Sequence, residues 1–337
     1  MTQPREQLRI GDVARLAGVS AATVSRVLSG SPRVGGEARA RVLAVATRFD
    51  YEPSRLARHL RSGRADVVGV VIPDIENAHF ATMVRAVEDA MYGRGRRILL
   101  CNTTDDAPKQ SAYLRVLAAE RVLGVLLSSC ADDDPGIADL LDLGIPVVAF
   151  DRSVSDRRAD SVTVENQDAA LRATQLLVGL GHRRIGFVAG VPGVETAEER
   201  LAGYLAGLAS TGAEPRVRVG DFSMEGGRRA AAELLADAPP PTALLVANNH
   251  MTLGALEAIR DAGLRVPEDV ALIVFDDPPW ARLLDPPLTT LAQPLRTMAD
   301  TAVSLLFERI ANPKGPPAHP RFELELRVRR SSGGPIG

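Results

Sequence analysis

The chain has 337 residues, of which 45% are hydrophobic and 24% charged, and it contains only two cysteines. This length predicts two or three domains of ordinary globular composition, and the cysteine count disfavours a disulfide scaffold and a cysteine-rich metal site. The sequence has neither 18 consecutive apolar residues nor an apolar segment at its start. It therefore predicts a cytoplasmic protein without a signal peptide or a membrane span.

The net charge of −2 conceals an uneven distribution along the chain. Residues 1–64 carry twelve arginines and only five acidic residues, whereas the rest of the chain has an excess of acidic side chains. A basic segment joined to an acidic body is typical of a chain whose first part binds a polyanion. A solvated charged surface would explain the charge alone equally well.

The basic segment has the pattern of short helices. Apolar residues with helical spacing predict a helix over 10–17 that ends at Gly18, and Ser20 can cap a second helix whose polar side faces outward. Two short helices joined by a tight turn that contains glycine describe a helix-turn-helix. A third helix is expected over 37–49, with Phe49 on its buried side, and a short helical segment over 54–60.

From residue 66 onward, apolar strands alternate with longer amphipathic helices. Near-continuous apolar strands between helices are typical of parallel sheets that are covered on both faces. Two sets of such strands predict two doubly wound subdomains. From the alternation of strands and helices alone, 162–164 is assigned to the second set. The predicted strands are 67–72, 98–101, 122–127, 147–150, 162–164, 185–189, 217–219, 243–246 and 270–275. No catalytic triad, metal cluster or phosphate-binding glycine motif is recognised.

The motifs of the chain resemble those of the lactose-repressor/galactose-repressor family of bacterial transcription regulators. The most specific motif is 12–28 (DVARLAGVSAATVSRVL), and the resemblance extends from Arg9 to about Arg330. Further motifs occur in the order and at the spacing of the family. They are 51–54 (YEPS), 69–74 (GVVIPD), 181–186 (GHRRIG), 200–203 (RLAG), 275–277 (FDD) and 286–290 (PPLTT).

The resemblance implies an α + α/β fold with a helix-turn-helix head, a hinge helix and two parallel-sheet subdomains like those of periplasmic binding proteins. The head would span 1–52 and the hinge helix with its linker 53–64. The effector-binding body would span 65–330, and a disordered tail 331–337. Subdomain one would comprise about 65–164 and 293–322, and subdomain two about 165–292 and 323–330.

By the same resemblance, the second helix enters the major groove of an operator, where Arg26 would read a guanine, whose O6 and N7 match the guanidinium group. The hinge helix would lie in the minor groove, with Leu60 opening the central base step. The head contacts would come from Ser20, Ala21, Ala22, Thr23, Ser25 and Arg26, and the hinge contacts from Ser54, Ala57 and Leu60. Gly35 and Ala38 stand where the family usually has hydroxyl side chains, and the consequence of this departure stays open.

The family binds a small effector in the cleft between its two subdomains. Carboxylate, guanidinium and amide groups suit vicinal hydroxyls because each can pair with two neighbours. Beside this cleft, Asn249 stands where the family frequently has an aspartate, and Val274 where it frequently has a glycine. Taken singly, a structural role is credible for each predicted effector residue, such as capping a turn for Asp276. The predicted effector residues are His79, Phe80, Asp151, Thr196, Arg200, Phe222, Asn248, Asp276 and Gln293.

The function implied is a ligand-responsive, allosteric transcriptional regulator, and specifically a repressor that binds a near-palindromic DNA operator as a homodimer. The effector would be a sugar or sugar derivative, with a purine-like molecule as the alternative. We expect no catalytic residues, metal or cofactor. The competing interpretations are a cytoplasmic sugar-binding protein and a sugar-acting enzyme with a DNA-binding head. Whether the effector is an inducer or a corepressor, which operator is bound, and what Trp280 does all stay open.

Overall fold

The computed structural model describes residues 8–28, 33–49, 51 and 66–333, and the chain divides into two units between Ala65 and Asp66. The described residues of the first unit form three helices, α1 (Ile10–Ala17), α2 (Ala21–Leu28) and α3 (Gly36–Arg48). One residue from each helix, Val13, Val24 and Val42, is fully buried in a shared small core. The helix-turn-helix predicted from the sequence is therefore present.

Local sequence explains the turn between α1 and α2. Gly18 adopts φ 62°, a left-handed conformation that ends α1 at low cost because glycine has no Cβ. The Ser20 hydroxyl accepts a hydrogen bond from the Thr23 backbone N–H at 3.1 Å, as expected for a cap. The prediction that Phe49 is buried is wrong: it lies just beyond α3 with 45% of its surface exposed. Ser54, Ala57 and Leu60 lie outside the described residues.

The second unit contains two six-stranded sheets. The first has the strand order β11-β5-β4-β3-β1-β2 and is parallel throughout. The second has the order β12-β10-β9-β8-β6-β7 and is parallel except for β12, which runs antiparallel to β10. The strands are β1 (Val67–Ile72), β2 (Arg97–Asn102), β3 (Val125–Leu127), β4 (Val147–Phe150), β5 (Asp160–Val164), β6 (Ile185–Ala189), β7 (Arg216–Val219), β8 (Ala243–Val246), β9 (Ala271–Phe275), β10 (Thr289–Ala292), β11 (Arg321–Phe322) and β12 (Glu325–Arg327).

Helices cover the sheets, as the apolar strands predict. Several begin at polar caps: the Asn77 side chain accepts from His79 N, and that of Asn248 from Met251 N. The body helices are α4 (Ala78–Tyr92), α5 (Ala107–Ala119), α6 (Pro135–Asp142), α7 (Asn166–Gly179), α8 (Glu195–Leu208), α9 (Met224–Leu235), α10 (Asn249–Asp261) and α11 (Leu295–Ala311). Among the described residues, no helix is long and apolar enough to cross a membrane.

Two sequence expectations about the sheets need correction. The strand over 162–164 pairs with β4 and thus belongs to the first sheet, because its Val162 lies opposite Phe150. The segment 331–333 is part of the fold rather than of a disordered tail. Ser331 and Ser332 are fully buried, and the Ser331 hydroxyl accepts from Thr289 N and donates to Leu272 O. The sequence did not indicate this packing, because serine side chains carry hydroxyl groups and buried segments are usually apolar.

The chain passes between the two sheets three times. It leaves the first sheet after β5, returns to it after β10 and leaves it again after β11. The last two passages are only two residues long each, Gln293–Pro294 and Glu323–Leu324. Short passages of this kind can act as hinges between two subdomains.

Candidate functional site: the recognition helix and the cleft

The outward face of α2 is suited to contact with DNA bases. Ala21, Ala22 and Arg26 are exposed, whereas Val24 and Val27 on the other side are buried in the core of the head. Ser20 caps the helix through its hydroxyl, which also lies 2.9 Å from the Thr23 hydroxyl. The two small alanines leave the guanidinium of Arg26 as the longest polar group on this face.

In the body, the cleft between the two sheets contains a cavity of about 60 Å³. All nine of the predicted effector residues line it, although they come from segments between 79 and 293 of the chain. Its wall is completed by four residues that the sequence did not single out, Asp74, Asn77, Asp105 and Arg152. The structure therefore brings the whole predicted set together in one place.

Two aspartates occupy equivalent positions on the two sheets. Asp151 follows β4 of the first sheet and Asp276 follows β9 of the second, each directly after the last residue of the strand. Both have positive φ, 66° and 68°, and both are buried. Left-handed backbone at a non-glycine residue is uncommon and concentrates at functional sites. It turns each carboxylate from the carboxyl end of its strand into the cleft.

His79 lies between these two carboxylates. Its Nε2 is 3.1 Å from Asp151 Oδ1 and its Nδ1 is 3.6 Å from Asp276 Oδ1, while Phe80 packs edge-on against the ring. Burial alone would lower the pKa of His79, but the two carboxylates outweigh it and raise that pKa from 6.5 to about 9. His79 is accordingly a buried imidazolium that connects one subdomain to the other.

The positively charged groups around them stabilise the negative charges of the two aspartates. Burial would raise the pKa of Asp276, but His79, Arg200 and Gln293 lower it to about 2. Burial opposes the charge of Asp151 in the same way, and His79, Arg152 and Arg200 lower the pKa of that carboxyl below its usual value. Both carboxylates are therefore ionised at neutral pH.

Arg200 is the buried cation on the second subdomain. Its Nε donates to Asn166 Oδ1 at 2.8 Å, Nη1 donates to Ala247 O, and its guanidinium lies 4.3 Å from the centre of the Phe275 ring. Burial lowers its pKa, but from an ordinary value so high that the group stays protonated. Its charge thus balances the nearby carboxylates without a direct ion pair.

Several side chains of the two subdomains contact one another across the cleft. Asn249 Nδ2 donates to Asp276 Oδ2 at 3.0 Å and to Asn77 Oδ1 at 2.8 Å, which joins α10 to the start of α4. On the other side of the cleft, Ser153 donates through both its backbone N–H and its hydroxyl to Glu195. The cleft is closed by the protein's own side chains.

Asn249 and Arg152 are the functional candidates that sequence reasoning missed. Asn249 was recognised only as a departure from a frequent aspartate, yet it is the donor that an aspartate could not supply. Arg152 is 7% exposed, lies 5.7 Å from the centre of the Phe222 ring of the other subdomain, and donates to Asp105 at 2.8 Å. Its Nε is buried without a hydrogen-bond partner. The adjacency of Arg152 to Asp151 was the available signal.

Comparison with known proteins gives matches over nearly the whole chain. Residues 9–54 match the model of the bacterial regulatory proteins of the lacI family, and residues 174–332 match a periplasmic binding protein-like domain. The HTH-type transcriptional repressor PurR of Photobacterium profundum is 34% identical over 331 residues, which cover 96% of this chain and 98% of PurR.

Solved structures give the same result. A Lac repressor dimer bound to operator and the anti-inducer ONPF has 27% identity and a TM-score of 0.86, with 97% of this chain and 99% of that chain covered. A complex of the transcriptional regulator CelR with cellobiose has 34% identity and a TM-score of 0.72, with 97% and 100% covered. Relatives of similar identity thus differ in their names and ligands, so identity alone does not indicate an effector.

Proposed function

The chain belongs to the LacI family of bacterial regulatory proteins and is a ligand-responsive DNA-binding transcriptional regulator, and we propose that it is a homodimeric repressor controlled by a small, uncharged, polyhydroxylated effector. The observation that carries this proposal is the convergence of the nine predicted effector residues on one cavity in the cleft. Because the regulator acts on bacterial DNA, we infer that it is located in the cytoplasm.

The charges around the cavity favour an uncharged effector. Asp151 and Asp276 are balanced by His79 and Arg200, and Arg152 by Asp105. A charged ligand would disturb this balance in a buried place, where an unpaired charge is costly. Hydroxyl groups, in contrast, can donate to a carboxylate and accept from a guanidinium at the same time. The buried Gln293 Oε1 and Arg152 Nε still lack hydrogen-bond partners and suit such a ligand.

The Phe222 ring favours a sugar but also accommodates the purine-like alternative. An apolar ring can pack on the hydrophobic face of a sugar or stack on a base. The many polar groups around it favour the sugar. With a volume of about 60 Å³, the cavity holds only a few water molecules and is well below the roughly 300 Å³ typical of ligand pockets, so a sugar-sized effector requires the cavity to widen.

Two edge strands support the homodimer. On β2, the edge of the first sheet, Leu99 and Leu100 are 39% and 38% exposed, and on β7, the edge of the second, Val219 is 44% exposed. An exposed apolar edge strand invites further pairing unless it is covered. A second copy of the chain is the partner we propose, in line with the dimeric state of the Lac repressor relative.

We also infer that the chain is not an enzyme and that the cleft binds its ligand without converting it. The family to which it belongs consists of transcriptional regulators. In the cavity, His79, Asp151 and Asp276 pair with one another, and their pKa values are shifted away from neutral pH, where a general acid or base works best.

The proposal can be tested with the full chain in two steps. DNA duplexes that bind are first selected from a random pool, and a near-palindromic consensus is expected. A thermal-shift screen with cellobiose, ribose, other neutral sugars and purine bases follows, in which a ligand at 100 times its Kd adds about 2.7 kcal/mol of stability. A hit that also changes operator affinity in a gel shift supports the proposal. Stabilisation only by purines would support the alternative effector, and turnover of a sugar would overturn the assignment as a non-enzyme.

A further inference from the structure

His79 connects the two subdomains through charge rather than through directed hydrogen bonds. It is the second residue of α4 and is 6% exposed. Asp151 comes from its own subdomain and Asp276 from the other, so opening the cleft separates His79 from Asp276 but leaves it beside Asp151. Both ring nitrogens are buried, and neither makes a well-aligned hydrogen bond. The contact across the cleft consequently depends on the imidazole being protonated.

The other charged groups near His79 come from the elements packed around it. Arg200 on α8 acts on both carboxylates, and Arg152 follows Asp151 after β4. On α10, His250 lies 3.7 Å from Asp74, which is a second contact across the cleft. On α11, which packs along α4, Arg296 lies 3.4 Å from Asp89 near the far end of α4.

The protonation state of His79 changes the charge of this cluster. With an imidazolium and the guanidinium of Arg200, the carboxylates of Asp151 and Asp276 are balanced. With a neutral imidazole, the two carboxylates face each other across the closed cleft without the cation between them, and only Arg200 and the Asp105-paired Arg152 still act on them. Like charges in a buried place repel strongly, and opening the cleft relieves this repulsion by admitting water.

We propose that closure of this cleft takes up a proton at His79, so that the closed form is favoured at acidic and neutral pH and the effector response of the regulator is pH-dependent. The inference rests on the proposed function, since it concerns the regulation of the effector cleft. It adds a second input, the proton, to a site that would otherwise respond to the effector alone.

The sign of the effect follows from the two forms of the cleft. In the closed form the two carboxylates raise the pKa of His79 to about 9. Opening removes Asp276 and admits water, which screens the remaining pair with Asp151, so the pKa of His79 falls below its closed-form value but stays above its ordinary value of about 6.5. Closure is favoured by the proton below the pKa of the open form, and this advantage is lost as pH rises through about 9. Within this window the closing constant falls at most about tenfold for each pH unit.

A pH series on the full chain tests the linkage directly. Small-angle scattering from pH 6 to 9.5 at constant salt is expected to show the body expanding as pH rises. His79→Gln and Asp276→Asn should remove this dependence, because each eliminates one side of the ion pair. His250→Gln is the matched control and should leave the pH dependence intact, since it changes an imidazole in the other contact across the cleft.

Histidine-selective NMR supplies a readout that does not need the variants to fold perfectly. The chain has five histidines, and the signal absent from His79→Gln identifies His79 in the wild-type spectrum. That signal should titrate well above the ordinary histidine value. Titration at or below the ordinary value, scattering that does not change with pH, or loss of the pH dependence in His250→Gln would each overturn the proposal.

Failure of this proposal can be distinguished from failure of the proposed function. If His79 is not a proton-dependent contact, selected operator duplexes still bind at pH 7 and the ligand screen still yields a hit, but the scattering curves coincide at all pH values. If the regulator assignment is wrong, no operator is selected, whereas the titration of His79 and the expansion of the body are still observed.

Discussion

Asn249 offers an isosteric test of how the cleft is held closed. Its Nδ2 donates to Asn77 Oδ1 at 2.8 Å and to Asp276 Oδ2 at 3.0 Å, and the residue is 2% exposed. Asn249→Asp keeps the shape but removes both donors and sets a carboxylate beside that of Asp276. A hydrogen bond to a neutral group contributes about 0.5–1.5 kcal/mol and one to a charged group about 1.5–3 kcal/mol. Only the bond to Asn77 crosses the cleft, so relative to the open form the closed form should lose about 0.5–1.5 kcal/mol before any repulsion between the new carboxylate and Asp276 is counted.

A loss of this size shifts the closing equilibrium by about 2- to 12-fold, and repulsion between the carboxylates adds to it, since about 1.4 kcal/mol corresponds to a factor of ten. Because opening the cleft gives both carboxylates to water, we expect the variant to open rather than to unfold. Small-angle scattering should show an expanded body, and hydrogen exchange should accelerate at the start of α4, where His79 N is bonded to Asn77.

Two control variants isolate the cause. Asn249→Ala removes the same donors without adding charge and should open the cleft less. Asn312→Asp makes the same chemical change at an exposed residue beyond the end of α11 and should scatter like the wild type. If Asn249→Asp also scatters and exchanges like the wild type, the bonds of Asn249 do not hold the cleft closed and the reasoning fails.

Four further outcomes are expected. Arg26→Ala should cost about 1–3 kcal/mol of operator binding and relax the preference for one guanine per half-site in gel shifts, whereas equal loss on every sequence would indicate a phosphate contact. Leu99→Asp should shift the chain toward monomers in sedimentation, and an unchanged dimer would place the interface elsewhere. Asp276→Asn should abolish effector-induced stabilisation in thermal shifts and leave operator affinity at its effector-free value, high for an inducer-type effector and low for a corepressor; full retention of the effector response would remove this residue from the site. Asp277→Asn, which loses its ion pairs with Arg329 and Arg327, should lower the melting temperature without changing operator preference, and a changed preference would contradict a purely structural role.

The sequence predicts the fold best where local chemistry decides it. The bounds of β1, β4, β6 and β8 agree with the apolar runs, because strands that are buried on both faces must be apolar throughout. β10 was missed because its Thr289 and Thr290 are polar. Both are fully buried, and partners distant in sequence satisfy their hydroxyls: Ser332 and the backbone of Arg329 for Thr289, and Asp277 for Thr290.

In the candidate site too, features that depend on contacts between residues distant in sequence could not be predicted. Its nine predicted residues came from the resemblance, and all of them line the cavity, but their roles as effector contacts stay predictions. The protonated state of His79 could not be predicted, because Asp151 and Asp276 reach it only through the packing of two subdomains. The role of Asn249 likewise depends on Asn77, which lies in the other subdomain.

Two residues that line the cavity, Asp276 and Arg200, hydrogen-bond to residues at the passages of the chain between the sheets. These bonds explain how a ligand in the cavity could change the angle between the subdomains. Gln293, in the passage after β10, donates to Asp276 Oδ1 at 2.9 Å, and Asn166, the first residue of α7 after the passage from β5, accepts from Arg200. A ligand that binds Asp276 or Arg200 must compete with these bonds or reinforce them. Under the proposed function, effector binding and subdomain angle are linked, and by reciprocity any partner that selects one angle, operator DNA included, alters effector affinity by the same factor.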